Sequence, residues 1–176
     1  MLPDERNGLG SLPPVLLGAG LMINELKSGD RMGAIKELVD RLHASGCVTD
    51  SLGFLQSVLD REDLESTVLG SGVAFPHARS RSVARLGLAV GNSPDGVAFY
   101  SDLYPEPVHT VCLLAVPTVG QEGYLSLLGR LAQLFQSGDF RSHLQACASP
   151  DQMSQLIEQN LPESTQGLYS TQGQRS

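Results

Sequence analysis

The sequence predicts an α/β protein, a single domain in which a mixed β-sheet lies between helices on both faces. Three observations carry this expectation. The run Val108 to Val116 is β-rich and apolar at nearly every position, so it needs cover on both sides and belongs at the sheet centre. Segments with apolar residues at helical spacing both precede and follow the strand-like runs. The resulting order is strand, two helices, several strands, then three helices, which supplies enough helix for both faces of one sheet. A chain of 176 residues suits one core with tails, and 41% hydrophobic against 18% charged residues gives it apolar surface to offset the ordering entropy.

Residues 1–20, rich in Gly and Pro, read as a flexible arm, and 163–176 as a disordered polar tail, which leaves 21–162 as the domain. Leu21 to Leu26 reads as a first strand. Ser28 or Asp30 then offers an N-cap for a helix whose Ile35, Leu38, Val39 and Leu42 form one apolar stripe. After the turn at Ser45-Gly46, Asp50 caps a second helix with Leu52, Leu55, Val58 and Leu59 at helical spacing, ending near Asp60 to Asp63. Val68 to Phe75 is apolar and interrupted by Gly, so it reads as a short strand running into a loop at Pro76-His77. Leu86 to Val90 is a further strand, followed by the Val108 strand, which Pro117 ends. Leu127, Leu128, Leu131, Ala132, Leu134 and Phe135 then mark a long helix from Tyr124, closed by Gly138. A short helix from Asp139 and a last one opened by Ser149-Pro150-Asp151 complete the chain.

Charge and cysteine usage narrow the partners. A net charge of −7 and a pI near 4.9 repel a phosphate backbone, and the weakly basic run from Arg79 to Arg85 reads as solvated surface, so no nucleic-acid partner is expected. Cys47, Cys112 and Cys147 form no CxxC pair and read as reduced packing residues of a cytoplasmic protein. The early apolar stretch Leu12 to Ile23 is broken by Pro13, Pro14, Gly18 and Gly20, which argues against membrane insertion.

The four histidines differ in setting. His43 and His143 lie on polar helix faces and read as surface residues. His109, inside the Val108 strand, reads as a buried, hydrogen-bonded imidazole. His77 follows Pro76, whose fixed backbone angle lets the Phe75-Pro76-His77 corner present a ring rigidly at a strand's end. A neutral imidazole nitrogen attacks phosphorus without prior activation, and such transfer depends on positioning and on cations or amide donors around the incoming phosphoryl group. Arg61 and Arg79 are the nearest cations in sequence, and Gly70 and Gly72 let main-chain amides approach an anion closely. The bland readings stand beside these. A Pro-His corner more often serves structure, Arg61 would satisfy carbonyls at a helix end, and Arg79 would form a surface ion pair.

The run Arg61-Glu62-Asp63-Leu64-Glu65-Ser66-Thr67-Val68-Leu69-Gly70-Ser71-Gly72-Val73-Ala74-Phe75-Pro76-His77 resembles the active-site signature of the fructose/mannitol-type and nitrogen-regulatory enzyme IIA family: Arg-Glu, Thr, Gly-x-Gly, then Ala-x-Pro-His. Pro107 to Pro117 resembles the family's central strand, Leu125 to Leu134 the helix after it, and Ile35 to Val39 its opening helix, so the likeness spans about residues 21–160. The resemblance implies an enzyme IIA-like domain of the sugar phosphotransferase system. It makes His77 the phosphorylated histidine and Arg61 the arginine that neutralises the phosphoryl group, with Gly72, Arg79 and Tyr124 as supporting candidates. It also implies an HPr-type phosphocarrier protein as donor, a sugar permease IIB domain or regulatory target proteins as the next partner, and no metal or organic cofactor.

One departure stands out. Where many family members have a second histidine in a His-Leu-x-x-Leu pattern, this chain has Tyr124-Leu125-Ser126-Leu127-Leu128. A phenol donates one hydrogen bond but does not become cationic as imidazole does. Two classes of function follow. The first is a phosphotransfer protein acting through His77, in sugar uptake or in the regulatory role favoured by the expectation that the chain carries no permease or carrier domain. The alternative is an IIA-like binding module that regulates partners without efficient phosphotransfer.

Overall fold

The computed structural model describes residues 12–120 and 123–161. Its five-stranded sheet comprises β1 (Met22–Ile23), β2 (Val73–Ala74), β3 (His77–Arg79), β4 (Gly87–Val97) and β5 (Val108–Val116). β5 is central, antiparallel to β4 on one side and parallel to both β2 and β3 on the other, while β1 runs parallel to β4 at the edge. That position explains its composition, since every residue of β5 except the half-buried His109 is buried.

Five α-helices cover the sheet among the described residues: α1 (Arg31–Ala44), α2 (Ser51–Leu64), α3 (Tyr124–Gln136), α4 (Gly138–Gln145) and α5 (Pro150–Gln159). Short polar side chains start four of them. The Asp30 carboxylate accepts from Gly33 N–H at 2.7 Å, Asp50 from Gly53 at 3.1 Å, Ser137 from Phe140 at 3.4 Å and Ser149 from Gln152 at 3.2 Å. The alternation of side chains along β4 assigns helices to both faces. A Cβ at Gly87 would strike Cys47 and Leu42 at the end of α1, whereas Asn92, pointing the other way, donates from Nδ2 to the Leu144 carbonyl of α4 at 2.9 Å. The mixed sheet between two helical layers is thus the predicted architecture.

Several elements differ from their sequence reading. The arm expected over residues 1–20 is packed from residue 12: Leu12, Val15, Leu16 and Leu17 are buried, and Leu16 donates to the Leu86 carbonyl at 2.8 Å and accepts from Leu88 N–H at 3.0 Å. Pro and Gly bend this segment, but its apolar residues still gain more from burial than from solvation. Residues 1–11 and the expected tail at 163–176 lie outside the described residues.

The first strand shrinks to two residues because a 3₁₀ turn at Ala19–Leu21 precedes it and Leu26 folds back to donate to the Asn92 carbonyl at 2.8 Å. In α2 the buried face is Phe54, Val58 and Glu62, successive i+4 positions, with Leu55 and Leu59 at its flanks and Leu52 75% exposed. Gly138 opens α4 instead of closing α3, because the extended Ser137 serves as the end of one helix and the cap of the next. β4 continues seven residues past its expected end at Val90, through the polar Asn92 to Asp95. Asn92 is tolerated there because its amide is satisfied on both sides, accepting from Thr110 Oγ1 at 3.3 Å.

The cysteines pack as expected. Burial pushes the Cys47 thiol up to about 12 and the Cys112 thiol well above its usual range, so neither supplies a nucleophile.

Candidate active site

α2 ends on Arg61, Glu62, Asp63 and Leu64, and the chain then returns toward the sheet through Ser66 and Thr67. The Glu62 carboxylate, 3% exposed, closes this return by accepting from Thr67 N–H at 3.2 Å and from the Thr67 hydroxyl. Beyond Leu69, Gly70, Ser71 and Gly72 all adopt left-handed φ, at 81°, 55° and 75°. Only glycine takes this conformation readily, which accounts for Gly-x-Gly on either side of the serine. The Gly72 carbonyl accepts from His109 N–H at 2.8 Å and Thr110 N–H at 3.1 Å, so the turn is fastened to the central strand. β2 follows, and Phe75-Pro76 leads into β3.

His77 opens β3 opposite Leu114 of β5 and is half-buried, so the Pro-His corner is a strand start and not a free loop. The ring Nδ1 lies 3.0 Å from the Phe75 carbonyl oxygen. A carbonyl oxygen only accepts, so Nδ1 carries a hydrogen, and in the neutral ring the lone pair is on Nε2. The backbone thereby selects which ring nitrogen is left free of it. Phe75 itself is pinned from both sides. Its N–H donates to the Thr67 carbonyl at 3.1 Å, and its ring meets the buried Phe135 of α3 edge-on at 5.3 Å.

His77 and Arg61 line one cleft of about 370 Å³, with Thr67 and Phe75 beneath and Leu125 and Leu128 of α3 as its apolar wall. Arg61 satisfies the helix end as well, donating from Nη1 to the Glu65 carbonyl at 2.9 Å. This single bond engages one donor of a residue that lines the cleft and leaves the rest of its fork unused among the described residues. Among those residues Arg61 is not ion-paired to a carboxylate.

Three supporting candidates fall elsewhere. Arg79 is two residues along β3 and therefore on the same strand face as His77, but it forms no surface ion pair among the described residues. It donates from Nη2 to the Thr118 carbonyl at 2.9 Å and stacks its guanidinium 5.6 Å from the Tyr124 ring centroid. Arg79 and Tyr124 line an adjoining depression with Gly120 and Gly123, which shares Leu125 with the His77 cleft. Gly72 faces β5 and does not line the cleft. Two of the other histidines hold structure: His43 and His109 donate from Nδ1 to the carbonyls of Val48 and Ser93, at 3.0 and 2.9 Å.

Sequence reasoning gave no role to Glu62, Thr67, Leu125 or Leu128. Glu62 and Thr67 stood inside the quoted signature. Their signal was an acidic residue at a helix end four residues past the apolar Val58 and five before a hydroxyl able to satisfy it.

The fold is that of a phosphotransferase-system enzyme IIA. The crystal structure of nitrogen regulatory protein IIA-Ntr from Neisseria meningitidis superposes with a TM-score of 0.73 over 80% of this chain and 95% of that one, at 24% sequence identity. The fructose-like EIIA component of Escherichia coli K12 is 32% identical over 127 residues, 72% of this chain and 84% of the relative. The fructose-specific EIIABC component of Bacillus subtilis 168 is 32% identical over 135 residues, 77% of this chain but only 21% of that protein, so the chain spans about a fifth of its length. Residues 16–160 match the family model described as "Phosphoenolpyruvate-dependent sugar phosphotransferase system, EIIA 2", and the chain belongs to that family. No described helix is long and apolar enough to cross a membrane.

Proposed function

We propose that this protein is a phosphohistidine phosphotransfer component, accepting a phosphoryl group at Nε2 of His77 from an HPr-type phosphocarrier. The observation that carries the reading is the Phe75 carbonyl on Nδ1–H, which leaves Nε2 as the free nucleophile in a cleft shared with Arg61.

In this step the Nε2 lone pair forms a new N–P bond as the carrier's N–P bond breaks, and that electron pair returns to the carrier nitrogen. Nδ1 keeps its hydrogen throughout. Positive charge that develops on the His77 ring is stabilised by the Phe75 carbonyl, and negative charge on the phosphoryl oxygens by the Arg61 fork. Onward transfer reverses the sequence. The chemistry needs no metal or organic cofactor. The apolar rim at Leu125, 64% exposed, is where a carrier or a IIB domain would exclude water from the reacting atoms. Both sugar-specific and nitrogen-regulatory proteins are among the similar ones, so the next recipient is either a sugar permease IIB domain or a regulatory target.

Phosphorylation by a phosphorylated HPr-type carrier, followed by intact-mass detection in alkaline solution, tests the reading. Failure with an active carrier would favour the binding-module alternative. The same assay assigns Tyr124. Because it faces Arg79 across an adjoining depression, Tyr124→Phe is expected to change the transfer rate by less than about twofold, the ring being kept and only the hydroxyl removed. A tenfold loss would instead place the phenol on the phosphoryl group.

A further inference from the structure

We propose that Glu62 is a positioning residue for His77, selecting the ring tautomer through Thr67 and Phe75. The inference rests on His77 being the phosphoryl acceptor.

Glu62 is the one carboxylate among the described residues that is buried, at 3% exposure, and it is not ion-paired to a cation there. Burying a carboxylate without a counter-charge is unfavourable unless donors surround it, so the position demands an explanation beyond packing. Both of its oxygens are used on a single residue: Oε2 accepts from Thr67 N–H at 3.2 Å and Oε1 from the Thr67 hydroxyl. Thr67, itself 7% exposed, is thus held by two bonds from one planar group, which fixes the direction of its backbone. Its carbonyl then accepts from Phe75 N–H at 3.1 Å, and the Phe75 carbonyl accepts from Nδ1–H of His77 at 3.0 Å.

The sequence of contacts runs from a fixed anion to the reacting ring with no solvent-exposed link before His77. Thr67 and Phe75 also line the cleft directly, so movement of this return segment moves the floor under His77. A purely structural clamp would need only to close the end of α2, and Arg61 already does so through the Glu65 carbonyl. The placement of Arg61 and Glu62 side by side therefore divides the work: Arg61 faces the incoming charge, and Glu62 sets the nitrogen that receives it. If the clamp is lost, the Phe75 carbonyl drifts, Nδ1–H loses its acceptor, and the ring populates the other tautomer with its lone pair on the wrong nitrogen. Misplacement of this size costs roughly tenfold to a hundredfold in rate.

The test uses the full chain labelled with [¹⁵N]histidine. Two-bond ¹H–¹⁵N spectra read the His77 tautomer, and phosphorylation by a phosphorylated HPr-type carrier reads the rate. The wild type is expected to hold the Nδ1–H form. Glu62→Ala is expected to mix the tautomers and slow transfer at least about tenfold while phosphorylation stays on His77. Glu62→Gln, which keeps an acceptor for Thr67 N–H, is expected to restore most of both. A folded Glu62→Ala protein with an unchanged tautomer and rate would overturn the proposal. Should that variant not fold, Glu62→Met, which keeps the side-chain length and loses both acceptor oxygens for Thr67, is read in its place, and an unchanged His77 tautomer and rate there overturn the proposal equally. Absence of phosphorylation in the wild type would defeat the acceptor reading and with it any part for Glu62 in transfer, whereas an unchanged tautomer in a phosphorylatable Glu62→Ala protein would defeat the positioning role alone.

Discussion

His77→Ala will take up no phosphoryl group from a phosphorylated carrier that saturates the wild-type protein, and its fold will be intact. The expectation of complete loss follows from what remains in the cleft. Arg61 can still attract an anion, but a guanidinium is never a nucleophile at neutral pH, and Thr67 has its hydroxyl committed to Glu62. The remaining imidazoles are those of His43, His109 and His143, none of which lines this cleft. The fold survives because His77 is half-buried and its ring makes one hydrogen bond to a carbonyl that solvent can satisfy instead. The check is time-resolved labelling beside a thermal melt. Retained labelling would move the acceptor to another histidine, and His109 would be examined next.

Arg61→Ala has the second largest expected effect, a fall of about a hundredfold to a thousandfold in transfer rate, the range seen when one donor to a developing oxyanion is removed. Its loss leaves no lysine or arginine lining the cleft among the described residues. Arg79 does not substitute, since its guanidinium is held by the Thr118 carbonyl and the Tyr124 ring and does not line the cleft. Stability should change little, because the one side-chain bond lost among the described residues is to the carbonyl of an exposed helix-end residue. Arg61→Lys should recover part of the rate, a point charge replacing a fork. Single-turnover kinetics with the phosphorylated carrier would check both variants, and a loss below about threefold in Arg61→Ala would remove Arg61 from the phosphoryl site.

What was legible in the sequence is what depends on local pattern. β5 was found to the residue because a strand covered on both faces must be apolar throughout, and α1 and α2 because Asp30 and Asp50 cap them. The errors have a common cause in tertiary contact. Leu12 to Leu17 looked loose because Pro13 and Pro14 punctuate it, yet β4 and the core accept it; nothing local to those residues says so. Leu52 looked like core and Phe54 did not enter the stripe, because the rotation of a helix about its axis is set by its neighbours. The same limit held at the site. The signature carried His77 and Arg61 to one cleft, but whether Tyr124 faced that cleft or Arg79 depends on the turn after β5, and the burial of Glu62 on how α2 meets the sheet.

The most direct measurement of the central claim is the intact mass of the wild-type protein after incubation with a phosphorylated HPr-type carrier, recorded in alkaline solution that preserves phosphohistidine. A gain of one phosphoryl group, carried by the His77 peptide and bonded to Nε2, is the predicted result. No gain, with the same carrier preparation phosphorylating another enzyme IIA, would contradict the account.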